Sequence, residues 1–476
     1  MHPPNPFGYA PSTSLSPTRL PSMLTASLAL AVALIFLSRS VRGPIWAAGF
    51  AWAVCIAPIV LGIIDYRYLD YSDSSLGLVL SMAMLAFAAG AGIEHFYRGP
   101  IVRLSVPTTV AQQDFQAMMP IARVCWLIGM IGGTCLVLDF VMNGGGSLLN
   151  LADLRDSFVS KESASALSRA ASVMTWACLF SYLFALIFRR ELGVERTIFF
   201  ALPVIGFLLN AVLAAGRQAA LQMILVTVIG QIFWKIRTPD APSTETKNKS
   251  GSGFVLAISG LMVAYMGYVA IARNDSRISS VKSEVLARLF DFDLSGTFDA
   301  IISLFGNGVR ETVIEALVYF SSSIALFDRF LKTDLFGISK GAMNFPFLYR
   351  QIEPLTHINV ADMYQLRVAA LDSQFVIGVG WTTAIANIIM DFGYVGMVIF
   401  LMAQGFLSAI AWRAAVSGGS FLDCVLATLG LIGAIYLPLI PAFSDNNIFF
   451  LLLFCLAVKW FDVRRSGLIQ PSKATF

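Results

Sequence analysis

The sequence predicts an all-α fold: a polytopic membrane bundle of about eleven transmembrane helices with one large, partly helical external loop. Three observations predict it. Of 476 residues, 57% are hydrophobic and only 13% are charged, with a mean hydropathy of +0.74. A soluble domain of that length carries about a quarter charged residues, so the apolar surplus has to face lipid. Apolar stretches of span length recur along the chain, and basic residues gather in every second connection. From Arg273 to about Gly380 the pattern lapses for roughly a hundred residues, far more than a connector needs.

Residues 1–21 are rich in proline and serine and read as a disordered tail. They lack the basic segment, apolar run and small-residue site of a cleaved signal peptide. Windows of about 19 residues then pick out spans near 22–38, 44–64, 74–93, 119–141, 169–188, 197–215, 218–234 and 253–272, a first bundle of about eight helices over 22–272. The external segment occupies 273–387. Spans near 388–411, 419–440 and 446–461 make up the last group (388–462), before a tail over 463–476. Gly216-Arg217-Gln218 divides one long apolar stretch, and an arginine at that depth favours a tight hairpin at the membrane face.

Arg39, Arg42, Arg98, Arg103, Arg189, Arg190, Arg196, Lys235, Arg237, Lys247, Lys249, Arg413, Arg464 and Arg465 all fall in alternate connections, which makes those connections cytoplasmic. The other set contains the acidic stretch 65–73, the Arg217 turn and the long segment. These are external, with the N-terminus outside and the C-terminus inside. The loop at 238–253 reads as a flexible cytoplasmic linker. The net charge of +4 decides nothing by itself.

Six cysteines all fall in apolar stretches without a C-x-x-C pair, as packed core residues do. Three histidines (His2, His95 and His357) do not make a zinc site, and no metal or other cofactor is expected. Nothing suggests a nucleic-acid partner.

Within the external segment, Arg273 and Arg277 lie four apart at the outer end of a span. Val281, Val285, Leu289 and Phe292 then predict an amphipathic helix at the interface. A second helix is expected over Glu311–Asp328, re-entrant or buried against the bundle. Gly337, Gly341, Pro346 and Pro354 punctuate the chain beyond it. Asp391 is expected to open the next span as its capping residue.

VYFSSSIALFD (318–328), the loop after it, and WTTAIANIIMDFGYVGMVIF (381–400) with Asp391, Phe392, Gly393 and Gly396 resemble the C-terminal half of oligosaccharide repeat-unit polymerases, the Wzy-type O-antigen and exopolysaccharide polymerases. SRSVRGP (38–44) and the Gly-Arg turn at 216–217 fit the first half of that layout. The resemblance covers most of the chain in layout and a few dozen residues in detail. The N-terminal tail has no counterpart in it.

The resemblance implies a metal- and nucleotide-independent glycosyltransferase of the bacterial inner membrane. It would move a growing glycan from undecaprenyl pyrophosphate to the next lipid-linked repeat unit at the outer, periplasmic face. A flippase and a chain-length regulator are its implied partners, beside the bilayer. Such chemistry needs arginine forks for the pyrophosphate and a base for the acceptor hydroxyl.

Arg217, Arg273, Arg277 and His357 are the candidate catalytic residues. Arg350, Arg367, Tyr319 and Trp381 are candidates for substrate binding, with Phe320, Tyr349 and Tyr364 as further aromatics. Each has a plainer reading. Arg217 snorkels or caps its turn, Arg273 and Arg277 anchor to anionic lipid, Arg350, Arg367 and His357 are loop surface, and the aromatics form an interfacial belt. Asp275, Asp362, Asp372 and the acidic stretch Asp65–Asp73 are the other possible bases. Asp291-Phe292-Asp293 matches a D-x-D metal motif in letters only.

Three alternatives stay open. An O-antigen ligase uses the same donor with a lipid A-core acceptor. A flippase or transporter would line its interior with ionisable groups at midplane depth. A non-catalytic scaffold would use the segment to bind a partner.

Overall fold

The computed structural model describes residues 22–38, 43–67, 69, 73–99, 108–142, 165–213, 218–238, 287, 290–370 and 382–469. Five helices among them are long and apolar enough to cross a membrane, and four shorter apolar helices accompany them. The protein is a mostly helical, multi-pass membrane protein.

The helices are α1 (Ser22–Leu37), α2 (Pro44–Val60), α3 (Ser75–Arg98), α4 (Thr108–Met142), α5 (Ala166–Met174), α6 (Trp176–Ile187), α7 (Arg189–Ala201), α8 (Val204–Leu213) and α9 (Gln218–Arg237). The long segment contains α10 (Gly296–Ser303), α11 (Asn307–Leu331), α12 (Pro346–Thr356) and α13 (Val360–Ala370). The last three are α14 (Ala384–Val416), α15 (Phe421–Tyr436) and α16 (Asn446–Ile469). The span expected near 253–272 lies outside the described residues, and the one near 197–215 is broken between α7 and α8.

Side-chain size sets the tightest helix crossing. A Cβ at Gly90 of α3 would sit 1.9 Å from the Met402 carbonyl oxygen of α14, and one at Gly405 would sit 2.1 Å from that of Phe87. Only glycine lets these two backbones approach so closely. Gly405→Ala is expected to force the helices apart and lower stability by about 1–3 kcal/mol, read as an earlier thermal unfolding midpoint in detergent.

Buried charge ties one end of the bundle together. Arg237 of α9 pairs with Asp114 of α4 at 2.6 Å and donates to the Gly419 carbonyl at 2.9 Å, while Asp114 accepts from the Phe421 amide at 2.8 Å. Arg413 of α14 pairs with Glu94 at 2.5 Å and donates to the Gly99 carbonyl at 2.7 Å. These contacts join connections that charge alternation puts on one side. Their basic character therefore comes from residues engaged in packing as well as from topology.

The opposite end carries a short antiparallel clasp. Strand β1 (Ile64–Tyr66) pairs with β2 (Phe292–Leu294) in the register Ile64↔Leu294 and Tyr66↔Phe292. Arg67 donates to both oxygens of Asp293 at 2.8 Å and lies 3.5 Å from Asp291, in the open. The Tyr66 hydroxyl is buried against Ser321 of α11 at 2.8 Å. The helix expected through Phe292 is thus corrected at its end: Phe292 is in a strand, because its alternating neighbours pair with β1. Positions 281–286 and 289 lie outside the described residues. Asp291 and Asp293 serve the clasp.

The expected second helix is present and longer, as α11. Its half from Ser321 to Asp328 is buried against the bundle, where it packs on α2. Asp391 needs a correction. Thr383, not Asp391, caps α14, accepting from the Ala386 amide at 3.3 Å. Asp391 sits two turns inside, just before a break at Gly393 (φ 67°). There its carboxylate receives Ser339 Oγ at 2.5 Å, the Met343 and Asn344 amides at 3.0 and 2.9 Å, and Asn344 Nδ2 at 2.6 Å. It does cap free amides, but those of the loop leading to α12.

Candidate functional site

The connections opposite the Arg237 end converge on a cavity of about 350 Å³. Its floor begins with Ser168 and Ser172 of α5, Thr175 between α5 and α6, and Gln218 at the start of α9. Ser444 and Asp445, between α15 and α16, and Asn446 and Asn447, the first residues of α16, form another side. The long segment supplies Pro346 and Arg350 of α12 and Tyr364 of α13. Four separate parts of the chain thus supply the polar lining of a space at one end of an apolar bundle, and Leu136 of α4 adds an apolar wall.

Asp445 organises the wall. The chain leaves α15, passes Pro441 and a single 3-10 turn at Ala442–Ser444, and starts α16 immediately after Asp445. One carboxylate oxygen accepts from the amides of Asn447 at 2.8 Å and Ile448 at 3.3 Å, capping α16. The other accepts from the side-chain amides of Gln218 and Gln222, both at 3.0 Å. These glutamines are one turn apart on α9, so a single face of that helix presents both. Thr175 Oγ1 adds a 2.6 Å bond to Asn447 Oδ1.

Asp445 keeps part of its surface open, yet its carboxyl is desolvated. Burial pushes it up from the ordinary carboxylate value, against the opposing pull of Gln222 and the Ile448 and Asn447 amides. Among the described residues it forms no ion pair.

Cationic character comes from the roof. Arg350 is exposed on α12 and lines the cavity without an ion pair among the described residues. Arg367 sits behind the lining. Its guanidinium lies 4.9 Å from the Tyr364 ring centre, and it donates to Asn387 Oδ1 at 2.5 Å and more distantly to Thr382 Oγ1 at 3.4 Å. Burial presses its pKa down from the ordinary arginine value. It therefore braces Tyr364 against the head of α14, which is a positioning task.

Tyr319 of α11 is half-buried and meets Phe320 edge-on at 5.5 Å. Tyr319 and Asp445 both act electrostatically on the buried Tyr436 hydroxyl, which brings Tyr319 to the back of the same region. His357 is exposed and ends α12 in a left-handed conformation (φ 53°), away from the lining. Tyr349 donates to the Lys340 carbonyl. Asp362 is exposed in the first turn of α13. Asp65 lies in β1, and Asp73 accepts from the Ser75 amide at 2.8 Å at the start of α3. Arg217, Arg273, Arg277, Trp381, Asp275 and Asp372 lie outside the described residues. Arg217 immediately precedes cavity-lining Gln218 in the chain.

Sequence reasoning missed Asp445, Gln222, Thr175 and Asn447. The signal was there: Ser444-Asp445-Asn446-Asn447 puts four polar residues into the short connection between two apolar helices.

No protein-family model, curated protein or solved structure matches this chain.

Chemically, a carboxylate and several amides and hydroxyls can bind a hydroxylated ligand, while an arginine at the rim can hold an anion. Among the described residues no group of three metal-type side chains comes together.

Proposed function

We propose that this protein is a polysaccharide polymerase of the bacterial inner membrane, with about eleven spans and its long segment in the periplasm. It transfers a growing glycan from undecaprenyl pyrophosphate to the next lipid-linked repeat unit at the outer face. The observation that carries this reading is the cavity: polar, at the end of the bundle that charge alternation makes external, roofed by Arg350 and continuous in chain with Arg217. A lipid pyrophosphate held at the outer leaflet presents its charge at the depth of such a rim. The donor's sugar–pyrophosphate bond supplies the energy of transfer, so no nucleotide sugar is needed.

The resemblance of 318–328 and 381–400 to repeat-unit polymerases supports the same reading. Against a transport pathway stands the distribution of charge. Glu94, Arg237 and Arg413 are paired at the inner end, and the cavity's ionisable groups are at the other.

Deleting the gene tests the assignment. The expected result is surface glycan capped by a single repeat unit, with core attachment intact, seen as loss of the ladder on a gel. Uncapped core with accumulated polymer would make the protein a ligase. An unchanged ladder would refute both.

A further inference from the structure

Transfer to a hydroxyl releases a proton, and the polymerase reading leaves its acceptor unnamed. The geometry points to Asp445 as the group that contacts the acceptor sugar's hydroxyl and takes its proton, an inference that rests on that reading. Asp445 is the only carboxylate lining the cavity among the described residues.

Several other acidic groups among the described residues on the same end are committed elsewhere, and Asp362 is exposed off the cavity lining. Asp391 is buried off the cavity lining, where it takes the donors of the loop at 339–344. Asp293 holds Arg67, Asp299 holds Arg310, and Asp328 holds Lys332. Asp139 accepts from Ser165. His357 faces solvent off the cavity.

Three features suit Asp445 to the task. Among the described residues it has no cationic partner, and none of their ion pairs lowers its proton affinity. Gln218 and Gln222 grip one oxygen from a single helix face, which fixes the direction of the carboxylate. The other oxygen has one short amide bond, from Asn447 at 2.8 Å, and one long one, from Ile448 at 3.3 Å. The lone pair facing that longer bond is weakly engaged, and it is the one a hydroxyl hydrogen can use. Arg350 also lines the cavity and forms no ion pair among the described residues, so it can meet the pyrophosphate while Asp445 meets the acceptor.

In the transfer step, the acceptor hydroxyl oxygen forms a bond to the donor's anomeric carbon. The bond from that carbon to the pyrophosphate oxygen breaks, and its electron pair leaves on the lipid pyrophosphate. The hydroxyl proton passes to Asp445 and from there to water. No oxidant, metal or nucleotide takes part.

The test uses the full-length protein in liposomes, with the lipid-linked oligosaccharide fraction extracted from a strain lacking the gene. Asp445→Asn keeps the shape and a capping oxygen but cannot accept a proton. Its maximal rate is expected to fall by about 10²–10⁴-fold, with the half-saturating substrate concentration within about threefold of wild type. Asp445→Ser, a second capping residue, is expected to lose the rate equally, while thermal unfolding in detergent shows that both variants fold. An Asp445→Asn rate within about threefold of wild type overturns the role of Asp445, as does a loss confined to half-saturation. If wild-type protein itself transfers nothing, the polymerase reading fails and takes this role with it.

Discussion

Arg217→Ala is expected to remove long glycan chains while the protein still inserts into the membrane at normal abundance. The expectation starts from electrostatics. A lipid pyrophosphate gains charge as its glycosidic bond breaks, and a guanidinium fork placed at the departing oxygens stabilises that charge more than the ground state. Loss of one such donor costs about 10²–10³ in rate. Arg217 directly precedes Gln218, whose amide helps hold Asp445 at the cavity wall. Arg217→Lys keeps the charge without the fork and should restore only part of the chain length. Arg350→Ala is expected to act in the same direction from the roof. The readouts are the glycan ladder and an immunoblot of the membrane fraction. A wild-type ladder from Arg217→Ala removes that residue from the site.

Asp391→Ala carries the largest expected loss of stability. Its carboxylate is buried and takes hydrogen bonds from Ser339, Met343 and two donors of Asn344. Truncation strands all of them inside the fold at once. Each orphaned buried donor costs about 1–3 kcal/mol, and the effects overlap because the loop can loosen as a unit, so a total of about 3–5 kcal/mol is expected. Asp391→Asn retains one acceptor oxygen and should lie between. Thermal unfolding of purified protein in detergent measures both. Because the loop runs directly into α12, activity should fall with Asp391→Ala through misplacement of Arg350, even below the unfolding temperature. A melting curve identical to wild type would contradict this account.

The helical membrane bundle was legible because hydropathy reports burial in lipid through composition alone. The division of its connections into two ends was legible too, since Arg237 and Arg413 mark one end in sequence and pair there in space. Helix α11 was expected because VIEALVYFSSSIALFD is largely apolar yet too polar at its centre for a span, which suits burial against the bundle. The features that stayed hidden depend on partners far away in the chain. Phe292 reads as part of an apolar stripe until Tyr66 is known to lie opposite it. Asp391 reads as a helix cap until the loop at 339–344 folds onto it. Asp445 was overlooked because a lone carboxylate in a short connection is ordinary. Only the folded chain brings Gln218 and Gln222 to it, over two hundred residues away.

The clasp between β1 and β2 has a consequence for biogenesis. Arg67 and its partner Asp293 are 226 positions apart. At a synthesis rate of about 5–20 residues per second, the first strand is in place roughly 10–45 s before its mate leaves the ribosome. Throughout that interval the edge of β1 stands unpaired at the membrane surface, able to accept any extended segment that drifts past. Arg67 offers a charged guard beside that edge until Asp291 and Asp293 arrive to neutralise it. Nascent chains stalled before the long segment should therefore be the ones most prone to wrong pairings, and the ones that quality-control proteases remove first.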